Sequence, residues 1–118
     1  MNAAIAPESI RKPGYAETRH PTEAEVDRAA DLFKVLSHPD RLRLACRMGD
    51  GRVTTQRDLL QDFDWPQSTT ARHLAALRRA GLVEAERHGS EVHLRLGADV
   101  GLRLMATVCD WIHGEDDR

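Results

Sequence analysis

The chain has 118 residues, 41% hydrophobic and 4% aromatic, which suits one domain with a modest core of Leu, Val and Ala rather than two independent domains. No apolar run is long enough to cross a membrane and no secretory leader pattern opens the chain, so a cytoplasmic protein without a membrane partner is expected. Two cysteines, Cys46 and Cys109, are too few for a disulfide-stapled scaffold, and a net charge of -2 excludes a generic nucleic-acid coat.

Residues 1–21 contain three prolines and no helical periodicity, and read as a flexible arm whose Arg11, Lys12 and Arg19 are solvated. Thr22-Glu23-Ala24-Glu25 has the form of a capping box, and Val26, Ala29, Ala30, Phe33 and Leu36 follow at helical spacing. Ser37-His38-Pro39 interrupts this first helix, because proline disfavours a helical residue before it and suits a helix start. A second helix should run from Pro39 to about Met48, stopped by Gly49-Asp50-Gly51. Thr55 to Phe63 reads as a short third helix with Leu59 and Phe63 inward, and Asp64-Trp65-Pro66 as a turn.

Pro66 and Gly81 bracket a fourth helix, from Gln67. Ala71, Leu74 and Leu77 share one face; Ser68, Thr69, Arg72 and Arg79 share another, a polar and basic surface suited to a DNA major groove. Val83–His88 and Glu91–Leu96 then form two strands around Gly89-Ser90, a two-residue hairpin loop. The loop sets Arg87, Ala85 and Val83 opposite Val92, Leu94 and Leu96. On the other side it sets Glu84 opposite Arg95 and Glu86 opposite His93, so cross-strand charges are of opposite sign. A last helix from Asp99 presents Val100, Leu104, Val108 and Ile112 as one stripe flanked by Met105 and Trp111, with Gly114 as its end. That stripe is broad for a small domain, so a second copy of the chain is expected to cover part of it. The reading is a mainly α fold with a small β-hairpin, a winged helix-turn-helix of about five helices and a two-stranded wing over 22–113, with an acidic tail at 114–118.

From Trp65 to Leu82 there are three arginines and no carboxylate, whereas the last four residues carry three carboxylates. Positive charge is therefore concentrated on the proposed reading helix.

Leu36-Ser37-His38-Pro39-Asp40-Arg41-Leu42, the run Gln67-Ser68-Thr69-Thr70-Ala71-Arg72-His73-Leu74 with Leu77-Arg78-Arg79-Ala80-Gly81-Leu82-Val83, and the hairpin together resemble the ArsR/SmtB family of small dimeric winged-helix repressors. The resemblance covers about Ala24 to Ile112. It implies a homodimer joined by the first and last helices, bound to a double-stranded inverted-repeat operator with one reading helix per half-site, and released by an inducer. It places Gln67, Ser68, Thr69, Thr70 and Arg72 at the major groove and Arg79 on phosphate. Arg87 and His88 at the wing tip would reach the minor groove or backbone. His73 lies on the inward side of the helix and is taken as structural.

Three inducer chemistries are open to such a chain. Family members with a metal site on the scaffold helix carry Cys-x-Cys before an acidic-Leu pair; here Thr55, Gln56 and Arg57 precede Asp58-Leu59, so that site is absent. A second family site lies on the last helix, and at its spacing this chain offers Asp99, Asp110 and His113. One ligand of that set is lost and two become carboxylates, a poor zinc site. The third is thiol chemistry: Cys46 resembles one cysteine of the family's redox and reactive-sulfur sensors, Cys109 stands on the last helix about one turn before the position of the other, and Arg43 and Arg47 flank Cys46 as cationic neighbours. Against it stands the plainer role of two buried thiols as core filler.

No Ser/His/Asp or Cys/His set, glycine-rich phosphate loop or paired-carboxylate cleft can be placed, so the chain is not expected to be an enzyme, and no cofactor is implied. The alternatives to a thiol-released repressor are a metal-responsive repressor using the last-helix ligands and a winged helix that binds protein without an inducer.

Overall fold

The computed structural model describes residues 20–98 and 100–116; most of the expected arm, Asp99 and residues 117–118 lie outside them. Five helices and three strands follow in the order α1 (Glu23–Leu36), α2 (Pro39–Arg47), β1 (Thr54–Thr55), α3 (Gln56–Asp62), α4 (Gln67–Arg79), β2 (Val83–His88), β3 (Glu91–Leu96) and α5 (Val100–Asp116).

Local chemistry sets the helix starts. Thr22 closes a capping box on α1: its Oγ1 accepts the Glu25 N–H at 3.2 Å and its own N–H donates to Glu25 Oε1 at 2.8 Å. His38 caps α2 by accepting the Asp40 N–H on Nδ1 at 3.2 Å, with Pro39 in the first helical position. Thr55 Oγ1 accepts the Asp58 N–H at 3.1 Å and caps α3. At α5 the expected stop fails: the helix runs through Gly114 to Asp116. Glycine only lowers helix propensity by about 1 kcal/mol, and nothing after it breaks the backbone ladder.

The hairpin forms in the expected register, from Val83 opposite Leu96 to His88 opposite Glu91. The sheet nevertheless has three strands, because Thr54 and Thr55 pair antiparallel with Leu94 and His93 on the outer edge of β3. Two residues are too few to show a period of two in the sequence.

Leu44, Ala45 and Met48 of the α2 segment, Leu59, Leu74, Leu77, Leu82, Leu94, Leu96 and Met105 form the core. Gly101 lets α5 settle against the strand entry: a Cβ there would stand 2.6 Å from the Leu82 carbonyl oxygen, closer than side chains approach. Two expected apolar faces lie elsewhere. On α1 only Leu36 is buried, while Val26 and Phe33 are 50% and 62% exposed; on α5 Met105 enters the core, while Val100 and Trp111 are 40% and 66% exposed. The first and last helices thus carry large apolar side chains on the surface of a single chain.

Candidate nucleic-acid interface and thiol pair

Helix α4 divides cleanly by burial. Thr70, His73, Leu74, Ala76 and Leu77 face the interior, and Gln67, Ser68, Arg72, Arg78 and Arg79 face solvent, with Thr69 half-buried between them. Thr70, expected at the groove, is corrected: its side chain is fully buried and its hydroxyl has no hydrogen-bond partner among the described residues. It sits three residues before His73 and seven before Leu77, so helical periodicity turns it inward. Pro66 gives α4 no side-chain cap, so its first turn presents N–H groups and the positive end of the helix dipole.

Arg72, Arg79 and the wing-tip Arg87 are exposed and join no salt bridge among the described residues. The contrast with arginines elsewhere is chemical: Arg43 pairs with Asp40 at 2.7 Å, Arg47 with Asp62 at 2.7 Å, and Arg95 with Glu84 at 3.2 Å. With Arg78, which is also exposed and outside these pairs, four guanidiniums on the reading helix and wing are open to an external anion. His88 is more constrained than expected. Its Nε2 contacts Glu86, and its ring stacks on His93 at 4.3 Å. His93 in turn bonds Glu91 at 3.2 Å, so the Glu86 carboxylate, although opposite His93 in register, serves the histidine on its own strand.

His73 anchors the reading helix to α2. Its Nδ1 accepts from Arg41 Nε at 3.3 Å, and its ring lies 4.6 Å from that of His38 and 6.2 Å, edge-on, from that of Trp65. Burial first, then the charges of His38 and Arg41, push its pKa below the ordinary histidine value. His38, Asp40 and His73 also bring one ligating atom each within 4.8 Å of one another, the one such group of three among the described residues. Its donors are engaged, His73 by Arg41 and Asp40 by Arg43, and two guanidiniums oppose a cation there. The group acts as a clamp between helices. Sequence reading found His73 but not its partner Arg41, since nothing in a one-dimensional pattern pairs positions 32 residues apart.

Of the last-helix metal candidates, Asp110 and His113 are exposed on α5 and Asp99 lies outside the described residues.

Cys46 near the end of α2 and Cys109 on α5 are both free and half-buried, and Cys109 Sγ packs beside the turn from Cys46 to Gly49. The Cys46 thiol is pushed up from 9.0 to about 11, by burial first and then by the neighbouring sulfur. The expected cationic activation is not found: Arg43 and Arg47 are turned to Asp40 and Asp62, and neither lowers the thiol. Cys46 lines an open groove of about 730 Å³ whose walls include Leu42, Phe63 and Ile112, with Arg43 and Arg47 on its rim.

No helix among the described residues is long and apolar enough to cross a membrane. The family model described as "Bacterial regulatory protein, arsR family" matches residues 38–85, from the α2 cap to the wing. The chain is 35% identical over 83 residues to the biofilm growth-associated repressor of Agrobacterium fabrum, covering 70% of each chain. Among solved structures it is similar to the transcriptional repressor BigR from Xylella fastidiosa, with a TM-score of 0.62 at 31% identity over 73% of this chain and 87% of that one. It is also similar to HlyU from Vibrio cholerae, with a TM-score of 0.67 at 25% identity over 74% of this chain and 94% of that one. A homodimeric winged helix-turn-helix domain from Mycobacterium bovis gives a TM-score of 0.70 at 25% identity over 84% and 91%. With a relative above 30% identity across most of both chains, and with the reading helix, wing and scaffold helix in place, this chain belongs to the arsR family of bacterial regulatory proteins, as a winged helix-turn-helix transcriptional regulator and not an enzyme.

Proposed function

We propose that the protein is a homodimeric repressor that binds an inverted-repeat operator and lets go when Cys46 and Cys109 are oxidised to a disulfide. The DNA part is supported by exposed, unpaired Arg72, Arg79 and Arg87 on the two elements that a winged helix presents to a duplex. The dimer is supported by Phe33 and Trp111, exposed on the first and last helices, and by the homodimeric relative.

The observation that carries the thiol part is that two cysteines 63 positions apart in sequence are brought side by side at the junction of α2 and α5. A small disulfide R–S–S–R that enters the groove at Cys46 is attacked by one thiolate, forming a mixed disulfide and releasing one R–S⁻. The second thiolate then attacks the protein sulfur and releases the other R–S⁻. Two cysteine thiols lose two electrons and two protons, and the oxidant leaves as two R–SH. The new bond ties α2, which packs on the reading helix, to α5, which carries exposed Trp111. It therefore acts between the DNA face and the dimer face.

The test is operator affinity, by fluorescence anisotropy on the promoter DNA next to the protein's own gene, for reduced protein, oxidised protein and Cys46→Ser. Oxidation should release the wild type and leave Cys46→Ser bound. Equal binding by all three would refute the thiol release while leaving the DNA reading intact.

A further inference from the structure

Gly49 stands just beyond α2, where its N–H donates to the Cys46 carbonyl at 3.0 Å. Its φ is not in the left-handed region, unlike those of Gly51, Gly81 and Gly89, so its backbone conformation is open to any residue. Space is what a side chain lacks there. A Cβ on Gly49 would lie 3.0 Å from the Cys46 carbonyl oxygen and 3.2 Å from Cys109 Sγ. The sulfur of Cys109 is therefore packed closely over the bare face of Gly49, the residue hydrogen-bonded to its partner cysteine.

We propose that Gly49 is the positioning residue of the thiol pair: its missing side chain makes the recess in which Cys109 Sγ sits against Cys46. The inference rests on the thiol-release reading and adds the element that sets its geometry. Of the two atoms a Cβ would crowd, the Cys46 carbonyl is fixed in the turn by its hydrogen bond, whereas Cys109 Sγ turns about a single χ1 bond. Crowding is thus relieved when the sulfur gives way by a few tenths of an ångström. A disulfide requires sulfurs about 2.05 Å apart at a defined dihedral, so a Cβ that presses on Cys109 Sγ strains the approach to that geometry while leaving both thiols present. The atoms nearest to a Cβ at Gly49 belong to Cys46 and Cys109, on neither the reading helix nor the wing.

The experiment compares full-length wild type, Gly49→Ala, and the control Gly114→Ala, whose Cβ meets nothing within 4 Å. Each is treated with oxidised glutathione, and the Cys46–Cys109 disulfide is followed by mass spectrometry after blocking the remaining thiols. Gly49→Ala should form it at least tenfold more slowly than wild type, Gly114→Ala at the wild-type rate, and reduced Gly49→Ala should bind operator as wild type does. Disulfide formation by Gly49→Ala at the wild-type rate overturns the role of Gly49 and leaves the switch standing; a wild type that forms no disulfide refutes both. Melting temperatures give an independent arm should Gly49→Ala fold poorly. Adding Cys109→Ala removes the crowded sulfur, so the double variant should melt above Gly49→Ala alone by more than Cys109→Ala changes the wild type. Additive shifts overturn the proposal.

Discussion

Arg41 Nε reaches His73 Nδ1 at 3.3 Å and so fastens the inner face of the reading helix to α2. The bond requires an imidazole that accepts, which is the neutral form. Since the folded pKa of His73 is lowered, the unfolded chain takes up a proton more readily than the native one as pH falls. Stability is therefore full above the unfolded value near 6.5 and declines as pH drops through it toward the folded pKa. Chemical denaturation between pH 8 and pH 5 should show this slope, and His73→Gln, which retains an acceptor for Arg41, should flatten it. An unchanged slope in the variant would assign the loss to other groups.

Arg72 and Arg79 are expected to divide the work on DNA. Arg72→Ala, nearer the start of the reading helix, should reduce the ratio of operator to random-sequence affinity; one good bidentate base contact carries about 1–3 kcal/mol of discrimination. Arg79→Ala should weaken both equally and make the logarithmic salt slope shallower by about one unit. Titrations on both DNAs at several salt concentrations decide it, and identical behaviour of the two variants would refute the division.

Thr70 buries a hydroxyl that finds no partner among the described residues. Thr70→Val keeps the shape and removes the unsatisfied group, so it should stabilise the fold by about 1–2 kcal/mol, read by urea unfolding, without altering operator affinity. Lost affinity would return Thr70 to the DNA surface.

Trp111 is 66% exposed and contributes little to the core of a single chain. Trp111→Lys should leave the helical circular dichroism intact and shift the sedimentation profile from dimer to monomer. A stable dimer in this variant would place the interface elsewhere.

A Cys46 thiol with its pKa pushed up to about 11 is almost wholly protonated at neutral pH. Its alkylation by iodoacetamide should accelerate about tenfold per pH unit from 7 to 10, because only the thiolate reacts. Cys109→Ala removes the second cause of the shift and should bring the midpoint down. A plateau already at pH 8 would contradict the buried-thiol geometry.

Much of this architecture is written locally. The capping box at Thr22, the Pro39 start of α2 and the Gly89-Ser90 loop each act within a few residues, so element order and wing register could be read along the chain. What could not be read depends on partners far away in sequence. The two-residue β1 exists only because β3 offers an edge, and Thr70 turns inward because the core centres on His73 and Leu74 rather than on Ala71. The carboxylates that occupy Arg43 and Arg47 include one supplied by another helix, Asp62. A sequence that set both arginines beside Cys46 therefore suggested an activation the fold does not use.

Thr55 serves two masters: its backbone pairs with His93 of the wing, and its side chain caps the scaffold helix α3. The hairpin is thereby soldered at its base to the helix that precedes the reading helix. The opening between reading helix and wing is thereby set at the wing's base when the chain folds, like that of a calliper. A promoter whose groove spacing departs from that opening has to bend to meet the protein, so the stiffness of the intervening base steps becomes part of what this small domain selects.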